Sequence, residues 1–346
     1  MRSIKWAVQA LLAFLAALLI WEILLQLTTI RSTGYNNDPV LGKIAKEGTY
    51  INGQEGYGWT RIYAEGAIGR PFPDASAGAK PPGEKRILFI GDSFTEANQV
   101  MTAVKFPFQV ERKLKQDGPW RIESFNAGRS SASPAYYIHL ADYYHQRIAP
   151  DYVVVQINED DLKDLRNRQG NFYIDEAEGR YQTVFNDSFR STNAIAARLD
   201  GLYHLLEFST IRVASEKVQK LLMDEPAKKE EARDAARDLA LTEWTLAELQ
   251  RKYPKLVVLF LPTIDFSSDG DLDEQGYFER LVAQAARDHQ IDLINMRGPF
   301  ADLYRQQHKI PYGFANTQYG LGHMNAYGHD ITSDLLVDYF REKLIQ

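Results

Sequence analysis

The chain predicts an α/β protein: a three-layer α/β/α sandwich with a mostly parallel five-stranded sheet, preceded by an N-terminal transmembrane helix. Three observations point there. Short unbroken runs of Val, Ile, Leu and Phe recur between longer segments of helical periodicity, the pattern of strands buried on both faces. Each run stops at a Gly, Asn or Pro, as strand ends do. At the start, Trp6–Leu27 is almost wholly apolar.

Taken in order, residues 1–30 read as a membrane anchor. At about 1.5 Å per residue, Trp6–Leu27 is long enough to cross a bilayer core of roughly 30 Å. Arg2 and Lys5 lie at its start, and Trp6 and Trp21 fall where interfacial rings would sit. Glu22 and Gln26 are costly in hydrocarbon, which places the core of the span at Ala7–Trp21. A cleaved signal peptide also has a basic start and an apolar stretch. Against it, the bulky run from Trp21 to Leu27 offers no small-residue cleavage site. Either reading makes the remainder extracytoplasmic, periplasmic or at the cell surface.

Residues 31–84, rich in Gly, Pro, Asn and Ser, read as a membrane-proximal tether and edge segment, with Gly58–Ile62 a short extended candidate. The domain proper spans 85–346. Its strands are expected at Arg86–Ile90, Arg121–Phe125, Tyr152–Ile157, Leu256–Leu261 and Ile291–Ile294. Its helices are expected at Phe106–Gln116, Pro134–Gln146, Leu239–Lys252, Glu274–His289 and Tyr327–Lys343. An insert at about 163–238 follows the third strand, with a hairpin over Asn171–Thr183 and helices over Thr192–Met223. Lys228–Arg237 alternates charge at helical spacing, the mark of a solvated helix face.

Composition excludes several chemistries. A net charge of -6 gives no electrostatic footprint for nucleic acid. The lack of cysteine excludes disulfides, thiolate metal sites, a cysteine nucleophile and an acylated lipoprotein cysteine. His139 and His145 have no partners at ligand spacing, so neither a metal nor a cofactor is expected. The first strand runs into Gly-Asp-Ser rather than Gly-x-Gly-x-x-Gly, which argues against a dinucleotide.

Four places carry candidate chemistry, each after a strand or before a helix: Gly91-Asp92-Ser93, Asn126-Ala127-Gly128, Asn158–Leu162, and His323 with Asn325. A serine at the carboxyl edge of a sheet strand lies where α/β sheets place ligands. It becomes a nucleophile if a base is within reach, and His323 is the base in view. Singly, each residue has a plainer reading. Ser93, Asn158 and Asn325 are good helix caps, Asp92 a loop hydrogen-bonder, Gly128 a turn residue and His329 a packing residue. Only together do they read as a site.

In this ordered set the chain resembles the SGNH hydrolase superfamily, also called GDSL esterases and lipases. Gly91-Asp92-Ser93-Phe94-Thr95 matches the serine block. Phe106-Pro107, Leu114 and Phe125-Asn126-Ala127-Gly128 match the second block, Tyr152–Leu162 stands where the third belongs, and His323–His329 matches the last. The resemblance covers residues 84–162 and 255–346. It implies a nucleophile at Ser93, a base at His323, and an oxyanion hole made by the backbone N–H groups of Ser93 and Gly128 and an Asn side chain. Two positions depart from the pattern. The third block has Gln156-Ile157-Asn158-Glu159-Asp160-Asp161 in place of Gly-x-Asn-Asp. Asn158 is the favoured donor, because an ionised Asp160 cannot donate. Three residues before His323, Gly320 stands where an Asp is expected. The imidazole would then be oriented by a backbone carbonyl or by a carboxylate from elsewhere.

The expected activity is a serine esterase that removes O-acyl groups, acetyl in the first place, from a carbohydrate or lipid through an acyl-serine intermediate. Two alternatives stay open. One is an O-acyltransferase for a cell-envelope or exported polysaccharide, beside a membrane-bound acyltransferase or export machinery. The other is a catalytically degenerate glycan-binding or scaffold protein.

Overall fold

The structure is a computed structural model that describes residues 2–27, 35–38, 40–53, 55–74, 80–166, 172–177, 179–186, 234–267 and 270–345. The helices expected over Thr192–Met223 and the first part of the charged run lie outside the described residues.

Helix α1 (Arg2–Leu27) is exposed along Ile4–Trp21, where mean hydropathy is 1.9, and is long and apolar enough to cross a membrane. Two small antiparallel pairs follow: β1 (Tyr35–Asp38) with β2 (Gly42–Ala45), and β3 (Gly48–Asn52) with β4 (Gly58–Ile62). Then comes the alternation that the sequence announces. The strands are β5 (Glu84–Ile90), β6 (Arg121–Asn126), β7 (Tyr152–Asn158), β10 (Leu256–Leu261) and β11 (Asp292–Asn295), with the hairpin β8–β9 (Phe172–Ala177, Arg180–Phe185) inserted after β7. The five strands lie in the order β11-β10-β7-β5-β6, every pair parallel.

Strict alternation buries both faces of this sheet. Ile87 and Phe89 pack with Phe106, Val110 and Leu114 of α3 (Phe106–Asp117) and with Leu336, Val337 and Phe340 of the final helix, Ala326–Ile345. Leu88 and Ile90 point the other way, onto Tyr137, Leu246 and Val282 from the helices Pro134–His139, Ala235–Lys252 and Tyr277–Asp288. At about 25 cal/mol per Å² of apolar surface, these two cores are the main stabilising contribution.

The winding of the sheet creates the site. From β5 the chain moves outward to β6, then crosses back to β7 on the other side of β5. The carboxyl ends of β5 and β7 therefore flank the point where the winding direction reverses, and such crevices hold ligands in open α/β sheets.

Three differences from the sequence reading have physical causes. The helix expected over Pro134–Gln146 is two helices, Pro134–His139 and Ala141–Ile148, broken at Leu140, whose ψ of 2° leaves the helical region. Helix Arg297–Gln307 is not foreseen, because Gly298-Pro299 reads as a breaker. Proline is tolerated in the first turn, where its missing N–H has no intrahelical partner. The segment after β4 does more than skirt the domain. Ile68 forms bridges to both Ile62 and Asn126, and its N–H donates to the Asn126 carbonyl at 3.1 Å, so this stretch docks on edge strand β6.

Candidate active site

Strand β5 ends at Ile90, and after Gly91 and Asp92 a short helix, α2 (Ser93–Glu96), starts. Asp92 caps it: its Oδ1 accepts from the Phe94 N–H at 2.9 Å. Gln156, the one polar residue inside the apolar β7 run, reaches across from the neighbouring strand. Its Oε1 accepts from the Asp92 N–H at 3.3 Å and the Thr95 hydroxyl at 3.1 Å. The far end of α2 is held as firmly. Buried Glu96 accepts from the Ser130 N–H at 2.9 Å and from the Ser130 hydroxyl, and Lys105 Nζ donates to the Glu96 carbonyl at 2.7 Å. Burial lowers the Lys105 amine to about 7 despite the pull of Glu96. Ser93 thus stands on a turn fixed from both sides.

The structure brings Ser93 and His323 together across 230 residues of sequence. His323 Nε2 lies 2.8 Å from Ser93 Oγ. Its other ring nitrogen, Nδ1, lies 2.6 Å from Glu55 Oε2, and Glu55 Oε1 accepts the His323 backbone N–H at 2.7 Å. The carboxylate can only accept, so Nδ1 carries the proton and the Nε2 lone pair faces the serine hydroxyl. Burial opposes charge on this imidazole, but the hydrogen bond and charge of Glu55, with Asp92 and Glu96 beyond, hold its pKa above the ordinary value. The carboxylate that meets His323 thus comes from the N-terminal segment and not from position 320.

Local geometry explains that substitution. His323 follows Gly320 and Gly322, which adopt left-handed backbone conformations at φ 88° and 81°. A side chain at 322 would occupy the place of Glu55 Oε1. Glu55 is in turn fixed by Asn316, whose Nδ2 donates to the carbonyls of Gly53 and Gly56 at 3.0 and 3.1 Å and whose Oδ1 accepts the Gly56 N–H at 2.8 Å.

Two donors are free to face a developing oxyanion. The Ser93 N–H, first in its helix, has no acceptor among the described residues. Asn158 ends β7, and its Oδ1 accepts the Asp160 N–H at 2.9 Å, which fixes the amide orientation. One Nδ2 hydrogen goes to Asp92 Oδ2 at 2.8 Å, leaving the other for the pocket. Asp160 lines the pocket without taking that donor position.

Gly128 is a correction to the sequence reading. Its N–H is already donated to Asn126 Oδ1 at 2.8 Å, and it does not line the pocket. Its role is close approach: a Cβ there would collide with the Thr95 and Glu96 backbone, and no side chain can swing aside to relieve it. Gly128→Ala is expected to lower stability by about 2–4 kcal/mol, the upper range of overpacking, read as a fall in thermal midpoint. An unchanged midpoint would contradict this contact.

Asp92, Asp161 and Asp164 form an acidic base to the site. Burial raises the carboxyl pKa of Asp92 against hydrogen bonds from Phe94 and Asn158. Burial, with the nearby Asp92 charge, raises that of Asp161 well above its usual range and that of Asp164 to about 6. Asn325 does not line the pocket. Its Oδ1 caps the final helix through the Tyr327 N–H at 3.0 Å. His329 is buried against the Phe106 ring, with burial lowering its pKa to about 3.

The resulting pocket, about 350 Å³, is lined by Ser93, His323, Asn158 and Asp160, with apolar walls from Phe94, Leu261, Ile264 and Tyr312. Sequence reasoning missed Glu55 and Gln156. Gln156 had a signal, an amide in an otherwise apolar strand. Glu55 had none, being one carboxylate in a glycine-bounded loop 268 residues from its partner.

No family model matches the chain, and no curated protein matches it. Solved structures similar to it include the lipase/acylhydrolase from Enterococcus faecalis, with a TM-score of 0.41 and 12% identity over 75% of this chain and 96% of that one. An acetyl xylan esterase has a TM-score of 0.41 and 14% identity over 73% and 98%. A member of the lipolytic protein G-D-S-L family from Veillonella parvula has a TM-score of 0.38 and 11% identity over 74% and 98%. Likenesses this distant transfer no activity to this chain, and the functional reading rests on the site itself.

Proposed function

We propose that the protein is a serine hydrolase of ester bonds, built on a Ser93–His323–Glu55 triad and held at a membrane by α1, with its catalytic domain on the extracytoplasmic side. The observation that carries the reading is the unbroken hydrogen-bonded line from Ser93 Oγ through both imidazole nitrogens to Glu55. A nucleophile within reach of a base, itself oriented by a third group, is the arrangement acyl transfer needs.

Ser93 Oγ attacks the acyl carbonyl as its proton passes to His323 Nε2. Glu55 stabilises the imidazolium, and the tetrahedral oxyanion takes hydrogen bonds from the Ser93 N–H and Asn158 Nδ2. Collapse breaks the ester C–O bond, and His323 returns the proton to the leaving alkoxide. Water, activated by the same imidazole, then releases the acid from the acyl-serine. The substrate class is an O-acyl ester of a carbohydrate or lipid. The degenerate-scaffold alternative rests on the missing acid and on the altered Asn block; Glu55 beside His323 and Asn158 at the pocket favour catalysis over it.

The test is turnover of p-nitrophenyl acetate by the full chain in lipid nanodiscs, with and without a glycan acceptor. Hydrolysis with a burst of p-nitrophenol supports the reading, and no turnover refutes it. Acyl transfer to the acceptor outrunning hydrolysis would instead make the protein an acyltransferase. Asn158→Ala is expected to lower kcat about 10²- to 10³-fold with little change in KM, the usual cost of one oxyanion donor. An unchanged kcat would remove Asn158 from the oxyanion hole.

A further inference from the structure

The antiparallel pair β3–β4 turns one face to solvent, and the middle of that face is apolar. Along β4 the buried Gly58, Thr60 and Ile62 alternate with exposed Trp59 and Arg61, and Ile51 of β3 stands directly opposite Trp59. Trp59 is 55% exposed and Ile51 36%. Met101, 45% exposed, lies beside them, because the hydroxyl of its neighbour Thr102 donates to the Trp59 carbonyl at 3.2 Å. Tyr57, 69% exposed, shares a concavity with Met101 and extends the patch past the end of β4. A contiguous apolar patch on a free surface marks a place of contact. This one is also rigid. Asn316 clamps Gly53 and Gly56 between the two strands, and Gly58 packs so closely on the Asn98 carbonyl that no side chain would fit there.

Chain length says what lies within reach of the patch. Residues 28–34 join the end of α1 at Leu27 to β1 at Tyr35, a span of at most roughly 28 Å. Tyr35 pairs with Ala45, and the chain from Ala45 to Ile51 covers at most roughly 20 Å. With α1 in a bilayer, the patch is therefore kept close to the membrane surface. A surface tethered this closely meets the leaflet at an effective concentration that a partner arriving by diffusion does not match.

We infer that the outer face of β3–β4 is a membrane-docking surface: Trp59, Tyr57, Ile51 and Met101 seat in the headgroup layer of the leaflet from which the domain emerges. The inference rests on the membrane-anchored reading and adds a second point of contact to it. Tryptophan and tyrosine favour that layer, where the ring leaves water while its N–H or O–H keeps a hydrogen-bond partner. Ile51 and Met101 add apolar area beside them. At the rim, Arg61 and Glu47 pair at 3.2 Å and cancel in charge, which suits a zwitterionic leaflet. Glu55 lies in the turn between the two strands, so docking holds the triad close to the membrane.

The test uses the full chain carrying Trp6→Phe and Trp21→Phe, a single copy per nanodisc, in phosphatidylcholine with ordinary or brominated acyl chains. Those changes silence the rings of α1 and leave Trp59, Trp120 and Trp244. Trp59 emission is read as the difference from the same protein with Trp59→Phe. Bromine is expected to lower it about twofold, as for a ring at the headgroup level. Adding Ile51→Asp and Tyr57→Asp puts charge on exposed positions of the face, which leaves the fold intact and is expected to restore the emission. Equal Trp59 emission in the two lipids would overturn the docking surface. Quenching that persists with both aspartates in place would overturn it too, since Trp59 would then be near the bilayer without this face seated in it. A chain that separates from the nanodisc on gel filtration would refute the membrane anchor instead, so the two failures are distinguishable.

Discussion

Ser93→Ala is expected to lower kcat on p-nitrophenyl acetate about 10⁶-fold, the scale on which removal of an acylated nucleophile acts. The variant should fold as the wild type does. Ser93 Oγ faces the pocket and His323, while the turn that carries it is held by the Asp92, Gln156, Glu96 and Lys105 contacts, none of which uses that hydroxyl. Residual activity would come from the oxyanion donors and the imidazole acting on water. Stopped-flow kinetics read both parts: the burst disappears and the steady rate collapses. A variant that keeps its burst would place the nucleophile elsewhere.

Glu55→Gln is the second large effect, about 10³- to 10⁴-fold in kcat, as when a triad carboxylate becomes an amide. The amide has nearly the same shape, but it cannot stabilise the imidazolium and can donate toward Nδ1, which favours the unproductive tautomer. The pH profile adds an independent signature. His323 works as a base only when neutral, and Glu55 raises its pKa, so wild-type kcat/KM falls with acid already above the range of an ordinary imidazole. With the carboxylate gone, the imidazolium is less favoured and its pKa drops. The acid limb of Glu55→Gln therefore moves to lower pH even as the plateau falls. A profile with the same midpoint as wild type would show that another group orients His323.

The expected dependence on Glu55 also changes what the N-terminal segment is for. The sequence reads residues 31–84 as a tether, yet Glu55, the acid of the proposed triad, sits within it, and Gly56 packs so closely on Phe314 and the Gln99 carbonyl that a side chain there would clash. A soluble fragment starting at residue 80 would keep Ser93 and His323 and lose their partner. It is expected to match Glu55→Gln or fall below it in kcat on p-nitrophenyl acetate.

Much of the fold is readable from local pattern, and the reason is physical. The five sheet strands are continuous apolar runs because both faces are buried, and that burial writes them plainly into the sequence. Ser93, Asn158 and His323 are also readable, because each follows or precedes such a run at a place where the fold opens a crevice. What local pattern cannot carry is contact between distant loops. Glu55 meets His323 through glycines that clear space and an asparagine that clamps the turn, and neither feature differs in sequence from an ordinary loop. Gly128 misled for a related cause: a glycine that admits a backbone neighbour looks the same as one that presents an N–H to a ligand. Helix Arg297–Gln307 was hidden because proline in a first turn reads like a stop.

The most direct measurement is the rate of phosphonylation by a fluorophosphonate, with the modified residue mapped by mass spectrometry, on the full chain and on Glu55→Gln. A serine activated through His323 and Glu55 takes up one phosphonyl group, on Ser93, and the Glu55 variant does so at least about 100-fold more slowly. Labelling at a different serine, no labelling at all, or equal rates in the two proteins would contradict the triad.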